Sequence, residues 1–199
     1  MINFKSGILK LKFKIILASK SPRRQQLLKA LGLKFDVRTK KVREDYPSDL
    51  KREQIALYLC ELKANAFENE LDKNTLLITA DTIVWIDDKT INKPADFDEA
   101  VQVLEMLSGR MHEVITGVCF KTRQKTRSFF VVTKVYFKKL TNQEITYYVK
   151  NFKPYDKAGA YGIQEWIGSV GIKKIEGSYF NVVGLPIKEL YKELMEFSI

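Results

Sequence analysis

Apolar and polar residues alternate along this chain in a pattern that predicts strands interleaved with helices. Buried strands are predicted at residues 15–18 and 76–86, and an extended segment at 35–42. Two long runs rich in β-branched residues, 112–122 and 128–140, favour a pair of neighbouring strands. The segment 159–184, rich in glycine and aromatic residues, is interpreted as loops and short strands.

Helix signals separate these strands. Ser21 is a good N-cap and Pro22 suits the first helical position, so a helix is predicted from there to near Gly32. Four further helices are predicted to start at residues 47–49, 96, 141 and 186. The alternation of strand and helix signals indicates a mixed α/β fold.

Length and composition narrow the class of protein. A chain of 199 residues with 45% hydrophobic residues suits one sizeable α/β domain or two small lobes around a cleft. It has no apolar run near the roughly 20 residues of a membrane span, and lysines interrupt the N-terminal residues 1–14 where a signal peptide would be apolar. Only Cys60, Cys119 and His112 could supply thiol or imidazole ligands, so a disulfide framework and a zinc site are not expected. We therefore expect a cytoplasmic protein that does not bind membranes.

The net charge of +10 and a pI near 9.4 suggest an anionic partner, either a nucleotide or a nucleic acid. The lysines are scattered along the chain, without an arginine-rich arm or a nucleic-acid-binding motif. This distribution favours a solvated basic surface, and no stable binding of nucleic acid is expected.

The segment around the first predicted helix carries candidate chemistry. A helix that starts after Ser21 and Pro22 presents free N–H groups and a partial positive charge, which suit a phosphate. Arg23 and Arg24 add two guanidinium groups in its first turn, although the helix dipole disfavours cations there. On this segment alone, phosphate binding and two solvated arginines are equally good interpretations.

Four further polar residues are candidates. Asp81 lies inside the apolar strand, where a carboxylate is costly unless it is paired or functional. Lys63 is at the edge of an apolar helix face and Lys93 is in a loop, and each alone is best interpreted as reaching water. The amide of Gln164, in a glycine-containing segment, could donate to and accept from a nucleobase edge.

Six segments occur in order along the chain, at residues 18–24, 80–82, 93–94, 107–118, 156–164 and 176–186. They read ASKSPRR, ADT, KP, LSGRMHEVITGV, DKAGAYGIQ and EGSYFNVVGLP. Taken together, they closely resemble the motifs of the Maf family, the nucleoside triphosphate pyrophosphatases long named for septum formation. Six ordered motifs are specific where any one would be weak.

The resemblance implies hydrolysis of a nucleoside triphosphate to the monophosphate and pyrophosphate, with a divalent metal cation, Mg²⁺ or Mn²⁺. It also implies an elongated mixed β-sheet flanked by helices, with two lobes around a cleft, as in the inosine triphosphate pyrophosphatases. A single catalytic domain is expected over residues 14–199, with residues 1–13 as an N-terminal extension. A homodimer is expected by the same analogy.

Residue roles follow from the same resemblance. Asp81 matches the catalytic aspartate, and Glu44 matches a glutamate near the metal, with the neighbouring Asp45 as the alternative. The positions that hold the triphosphate are matched by Ser19, Arg24, Lys63 and Lys93. The specificity positions of the dTTP/UTP branch are matched by Arg23, Thr82 and Gln164.

Two alternatives stay open at this point. One is a pyrophosphatase acting on 7-methyl-GTP or another purine nucleotide. The other is a non-catalytic, nucleotide-binding regulator of cell division.

Overall fold

The computed structural model describes residues 13–197, and its centre is a mixed sheet of seven strands in the order β2-β1-β3-β5-β6-β7, with β4 on β3. The strands are β1 (Lys14–Leu17), β2 (Phe35–Val37), β3 (Thr75–Ile86), β4 (Lys89–Ile91), β5 (Met111–Lys121), β6 (Thr126–Phe137) and β7 (Ile172–Glu176). The first three pair in parallel, and all other pairs are antiparallel. The expected mixed sheet flanked by helices is confirmed.

Seven helices cover the sheet over the described residues. They are α1 (Pro22–Ala30), α2 (Glu53–Asn65), α3 (Phe97–Leu107), α4 (Asn142–Phe152), α5 (Trp166–Gly171), α6 (Tyr179–Val183) and α7 (Ile187–Phe197). The predicted caps form: the Ser21 side chain accepts from the Arg24 N–H, and Thr141 with Glu144 makes a capping box. The largest core cluster contains residues of β1, β3, β5 and β6 together with residues of α1, α3, α4 and α7.

Two predictions are wrong, those for the start of the second helix and for the segment 159–184. The second helix begins at Glu53 and not at 47–49, because Arg52 before it has a left-handed φ of 48° that breaks the helical path. The extended segment 35–42 keeps strand pairing only at Phe35–Val37, opposite the last three residues of the short β1. The segment 159–184 contains α5 and α6, which are too short to give a helical hydrophobic period.

The sheet has a gap at the centre of β3. One edge of β3 pairs with β5 from Leu77 to Trp85. On the other edge, β1 pairs with β3 only as far as Ile78, and β4 begins opposite Val84. Between these partners the described strands leave a stretch of β3 open on that edge, and Asp81 lies at its middle. An opening where neighbouring strands diverge is a common position for a ligand site.

Candidate functional site

Asp81 projects from the gap and forms an ion pair with Lys63. Its side chain is 10% exposed, and the Lys63 Nζ contacts its Oδ1 in a short hydrogen bond. The same Nζ lies 2.9 Å from Oε1 of Glu44, so one ammonium joins two carboxylates. The predicted lysine at the edge of the apolar face therefore points into the site and not into bulk water.

Lys63 reaches Asp81 because α2 packs very closely on β5. Gly117 of β5 is the strand partner of Asp81. A Cβ at Gly117 would lie 2.3 Å from the carbonyl oxygen of Ala56, so only glycine admits the helix at this depth. Ala56 and Lys63 are seven residues apart and therefore share one helix face.

Arg24 occupies the open edge of β3, where it contacts residues on both sides of Asp81 along the strand. Its Nη1 donates to the carbonyl of Ala80 (2.7 Å) and its Nη2 to Oγ1 of Thr82 (2.9 Å). Its Nε donates to the carbonyl of Gly184, the residue after α6, at 2.8 Å. Three of the five N–H groups of this guanidinium are thus directed at protein acceptors, two of them on residues that flank Asp81.

The turn before α1 is held by its own serines. Ser19 is buried, and its Oγ accepts from the backbone N–H of Ser21 at 3.2 Å. The Gln25 side chain donates to the Ser19 carbonyl at 3.1 Å. Ser21 lines the same cleft as Asp81, whereas Ser19 is buried in the turn before α1.

A chain of charges connects α1 to the loop that carries Gln164. Arg23 Nη1 lies 3.0 Å from Oδ2 of Asp156, and Lys157 Nζ lies 2.7 Å from the other oxygen of the same carboxylate. Lys157 also lies 3.1 Å from Oε1 of Glu165, next to Gln164, and its side chain is only 10% exposed. This chain fixes the position of Arg23 relative to the loop.

The charges around the site shift several pKa values. Burial raises the pKa of Glu44, but the hydrogen bond and charge of Lys63, with the charge of Lys93, bring it below its ordinary value. Burial also opposes ionisation of Asp156, yet hydrogen bonds from Lys157 and Arg23 lower its pKa overall. These carboxylates are therefore ionised at neutral pH, and the site combines anionic groups with a surrounding set of cations.

Burial lowers the pKa of the Arg24 guanidinium, and the nearby charge of Asp81 partly offsets this effect. An arginine begins from so high a pKa that it stays protonated at neutral pH. The site therefore keeps a permanent positive charge in a buried position, where it interacts more strongly with an anion than it would in water.

Most of the residues that the resemblance singles out line one cleft. The cleft is lined by Arg23, Arg24, Lys63, Asp81, Thr82, Lys93 and Gln164, among others. Glu44 reaches the group through Lys63, and its neighbour Asp45 instead pairs with Arg43. The roles of these residues stay predictions.

Sequence reasoning missed two charged residues of the cleft, Asp156 and Lys157. Both stand at the start of the motif at 156–164, and the signal that could have found them is an acidic and a basic residue next to its glycines. Taken singly, each is an ordinary surface residue, because ion pairs between distant segments leave no trace in local sequence.

The donor set fits a divalent cation. Among the described residues there is no group of three or more His, Cys, Asp or Glu side chains placed to hold a metal. Asp81 and Glu44 nevertheless converge on one cation position, which the Lys63 ammonium marks. Mg²⁺ requires only one or two carboxylates where substrate phosphates complete its shell.

Comparison with known proteins gives consistent results. A family model described as "Maf-like protein" matches residues 14–197. A dTTP/UTP pyrophosphatase of Flavobacterium johnsoniae is 54% identical over 183 residues, covering 92% of this chain and 94% of that protein. The corresponding values for a dTTP/UTP pyrophosphatase of Porphyromonas gingivalis strain W83 are 49% over 189 residues, 94% and 95%.

Among solved structures, the chain is similar to a nucleoside-triphosphatase / dITP/XTP pyrophosphatase from Mycobacterium abscessus. The TM-score is 0.39 at 13% sequence identity, covering 63% of this chain and 74% of that chain. Separately, no helix within residues 13–197 has the length and apolar character needed to cross a bilayer.

Proposed function

Because the chain belongs to the Maf-like protein family, we propose that it is a nucleoside triphosphate pyrophosphatase acting on dTTP and UTP. The observation that carries the proposal is Asp81, a buried carboxylate in the gap of the sheet with Lys63, Arg24 and Lys93 around it. The two relatives match this chain over 94% and 95% of their own lengths, and both are named dTTP/UTP pyrophosphatase. Their names support the same substrates.

Asp81 would orient the attacking water and accept its proton. Water attacks the α-phosphorus, and the bond from that phosphorus to the oxygen bridging it to the β-phosphorus breaks. The products are the nucleoside monophosphate and pyrophosphate. A positioned general base contributes about 10²–10⁴-fold to such a step.

The cations hold the triphosphate and stabilise the charge that builds on departing pyrophosphate. Lys93 is exposed at the cleft and Lys63 lies within it, so both can reach phosphate oxygens. Arg24 retains two N–H groups beyond those directed at Ala80, Thr82 and Gly184. Ser19 would hold the triphosphate with these cations, at the turn before α1 where its Oγ accepts from the Ser21 N–H.

Asp81 and Glu44 would hold a divalent cation, Mg²⁺ or Mn²⁺. The cation would neutralise phosphate charge and polarise the phosphoryl oxygens. Lys63, whose ammonium contacts both carboxylates, would lie beside them to hold the phosphates.

Arg23, Thr82 and Gln164 would select the base. The exposed Gln164 amide presents both donors and an acceptor, which match the alternating edge of thymine or uracil. Asp156 keeps the Arg23 guanidinium at the cleft wall, so the selecting group is held before substrate arrives.

Three further expectations belong to this proposal. A reducing cytoplasm suits Cys60 and Cys119, which are both free and buried. The homodimer and the extension at residues 1–13 stay predictions, and residues 1–12 lie outside the described part of the chain.

The proposal is tested with purified protein, Mg²⁺ and a panel of nucleoside triphosphates, with release of monophosphate and pyrophosphate measured separately. We expect dTTP and UTP to give the highest kcat/KM, with one pyrophosphate per monophosphate. Chelation by EDTA should abolish turnover and added Mn²⁺ or Mg²⁺ should restore it. Faster turnover of 7-methyl-GTP or other purines would overturn the substrate assignment, and binding without turnover would favour a regulator.

A further inference from the structure

Two of the motifs quoted above supply no side chain to the proposed chemistry, and a polar residue of one contacts a polar residue of the other. Thr116 comes from the Val-Ile-Thr-Gly-Val segment of β5, and Asn181 from α6. Both are completely buried, with 0% exposure. Buried polar side chains of this kind are retained for a hydrogen-bonding purpose.

Their contacts form a chain that ends at Arg24. Thr116 Oγ1 donates to the backbone carbonyl of Asn181 at 3.2 Å and lies 2.9 Å from Oγ1 of Thr82, its strand partner. Thr82 Oγ1 in turn accepts from Arg24 at 2.9 Å.

The direction of this chain is fixed by its two ends. The Arg24 guanidinium has only donors, so the Thr82 hydroxyl must accept from it and donate its own hydrogen bond to Thr116. The Thr116 hydroxyl can accept this hydrogen bond because it donates its own to the Asn181 carbonyl. Each hydroxyl therefore donates once and accepts once, and a lone pair of Thr82 faces Arg24.

Asn181 anchors the far end. Its Nδ2 donates to the Val114 carbonyl at 2.9 Å and to Thr133 Oγ1 at 3.0 Å, which ties α6 to both β5 and β6. The backbone carbonyl of Asn181, which accepts the hydrogen bond from Thr116, is therefore held against β5 and β6.

On the basis of the proposed function, we infer that Thr116 is a positioning residue for Asp81. It orients the Thr82 hydroxyl toward Arg24, and Arg24 then fixes Ala80 and Thr82, the two neighbours of Asp81 on the open edge of β3. Among the described residues, no strand pairs with this edge of β3 at Ala80, and the guanidinium supplies the hydrogen bond to the Ala80 carbonyl that a neighbouring strand would supply. The carboxylate thereby keeps one direction into the cleft.

The test compares Thr116→Val, which keeps the side-chain shape and removes the hydroxyl, with Thr116→Ser, which keeps the hydroxyl. For Thr116→Val we expect kcat on dTTP to fall about ten-fold with KM within about two-fold, the loss equivalent to one buried hydrogen bond. Thr116→Ser should stay close to wild type. Equal losses in both variants, or a rise in KM in place of the fall in kcat, would overturn the inference.

A second readout does not depend on activity. The Arg24 Nη2 protons, which donate to Thr82, are followed by ¹⁵N NMR, and their exchange with solvent should be at least about ten-fold faster in Thr116→Val than in wild type or Thr116→Ser. Unchanged exchange would contradict the inference even if dTTP hydrolysis were absent, and absent hydrolysis in wild type would refute the proposed function alone. If the valine variant does not fold, Thr116→Ala removes the same hydroxyl and is measured in its place.

Discussion

Replacing Gly117 by alanine tests how the packing of one helix controls the site. The added Cβ would lie 2.3 Å from the Ala56 carbonyl oxygen and 2.5 Å from its carbon, whereas ordinary contact begins near 3.4 Å. Because the obstacle is backbone, α2 must retreat by about 1 Å. This retreat carries Lys63 away from Asp81, since Ala56 and Lys63 share a helix face.

Two magnitudes follow from this displacement. Overpacking of this kind costs about 1–3 kcal/mol of the free energy of unfolding. A misplacement of about 1 Å in a catalytic group can lower kcat about 10²-fold. We therefore expect a folded variant that is less stable by about 1–3 kcal/mol and whose kcat on dTTP is about 10²-fold lower.

Urea denaturation and steady-state hydrolysis of dTTP measure the two effects at a temperature where the variant is folded. Gly171→Ala serves as the control, because its Cβ would meet only the side chains of Ile167 and Leu140, at 3.2 Å. Wild-type stability and kcat in Gly117→Ala would refute the argument that close packing at this glycine places Lys63.

Two further predictions concern groups outside the reacting centre. Burial lowers the pKa of His112 to about 3. Between pH 6.5 and that value, the imidazole is protonated in the unfolded state and neutral in the folded state. The free energy of unfolding therefore decreases as the pH is lowered, by about 2 kcal/mol at pH 5. Urea titrations at pH 7 and pH 5 should show this loss in wild type but not in His112→Phe, and identical pH dependence would contradict it. Lys157→Met should lower stability by about 1–3 kcal/mol and raise KM for dTTP, because Asp156 and Glu165 lose a shared partner. Lys150→Met, on an exposed position of α4, is its control, and equal KM values in the two variants would count against the role given to Lys157.

The sequence predicts those elements whose signals are local. The Ser21 and Thr141 caps and the long runs of β3, β5 and β6 are each written in neighbouring residues, and each forms as expected. The predicted start of α2 is wrong because Pro47 begins a turn, in which the Leu50 N–H donates to the Pro47 carbonyl. The helix itself begins after Arg52.

The site shows the same division. Asp81 is detectable as a carboxylate within an apolar run, but its contact with Lys63 depends on how deeply α2 packs against Gly117. The number of acceptors around Arg24 is likewise invisible in sequence, because Ala80 and Gly184 contribute backbone carbonyls. Contacts made by backbone atoms of distant segments require the three-dimensional arrangement.

Asp81→Asn tests the central claim most directly. Hydrolysis of dTTP and equilibrium binding of a non-hydrolysable dTTP analogue are measured for wild type, Asp81→Asn and the control Asp87→Asn, whose exposed carboxylate lies at the far end of β3 and pairs with Arg110. We expect kcat of Asp81→Asn to fall about 10²–10⁴-fold while the analogue still binds, and Asp87→Asn to match wild type. An Asp81→Asn enzyme that turns over dTTP at the wild-type rate would contradict the account.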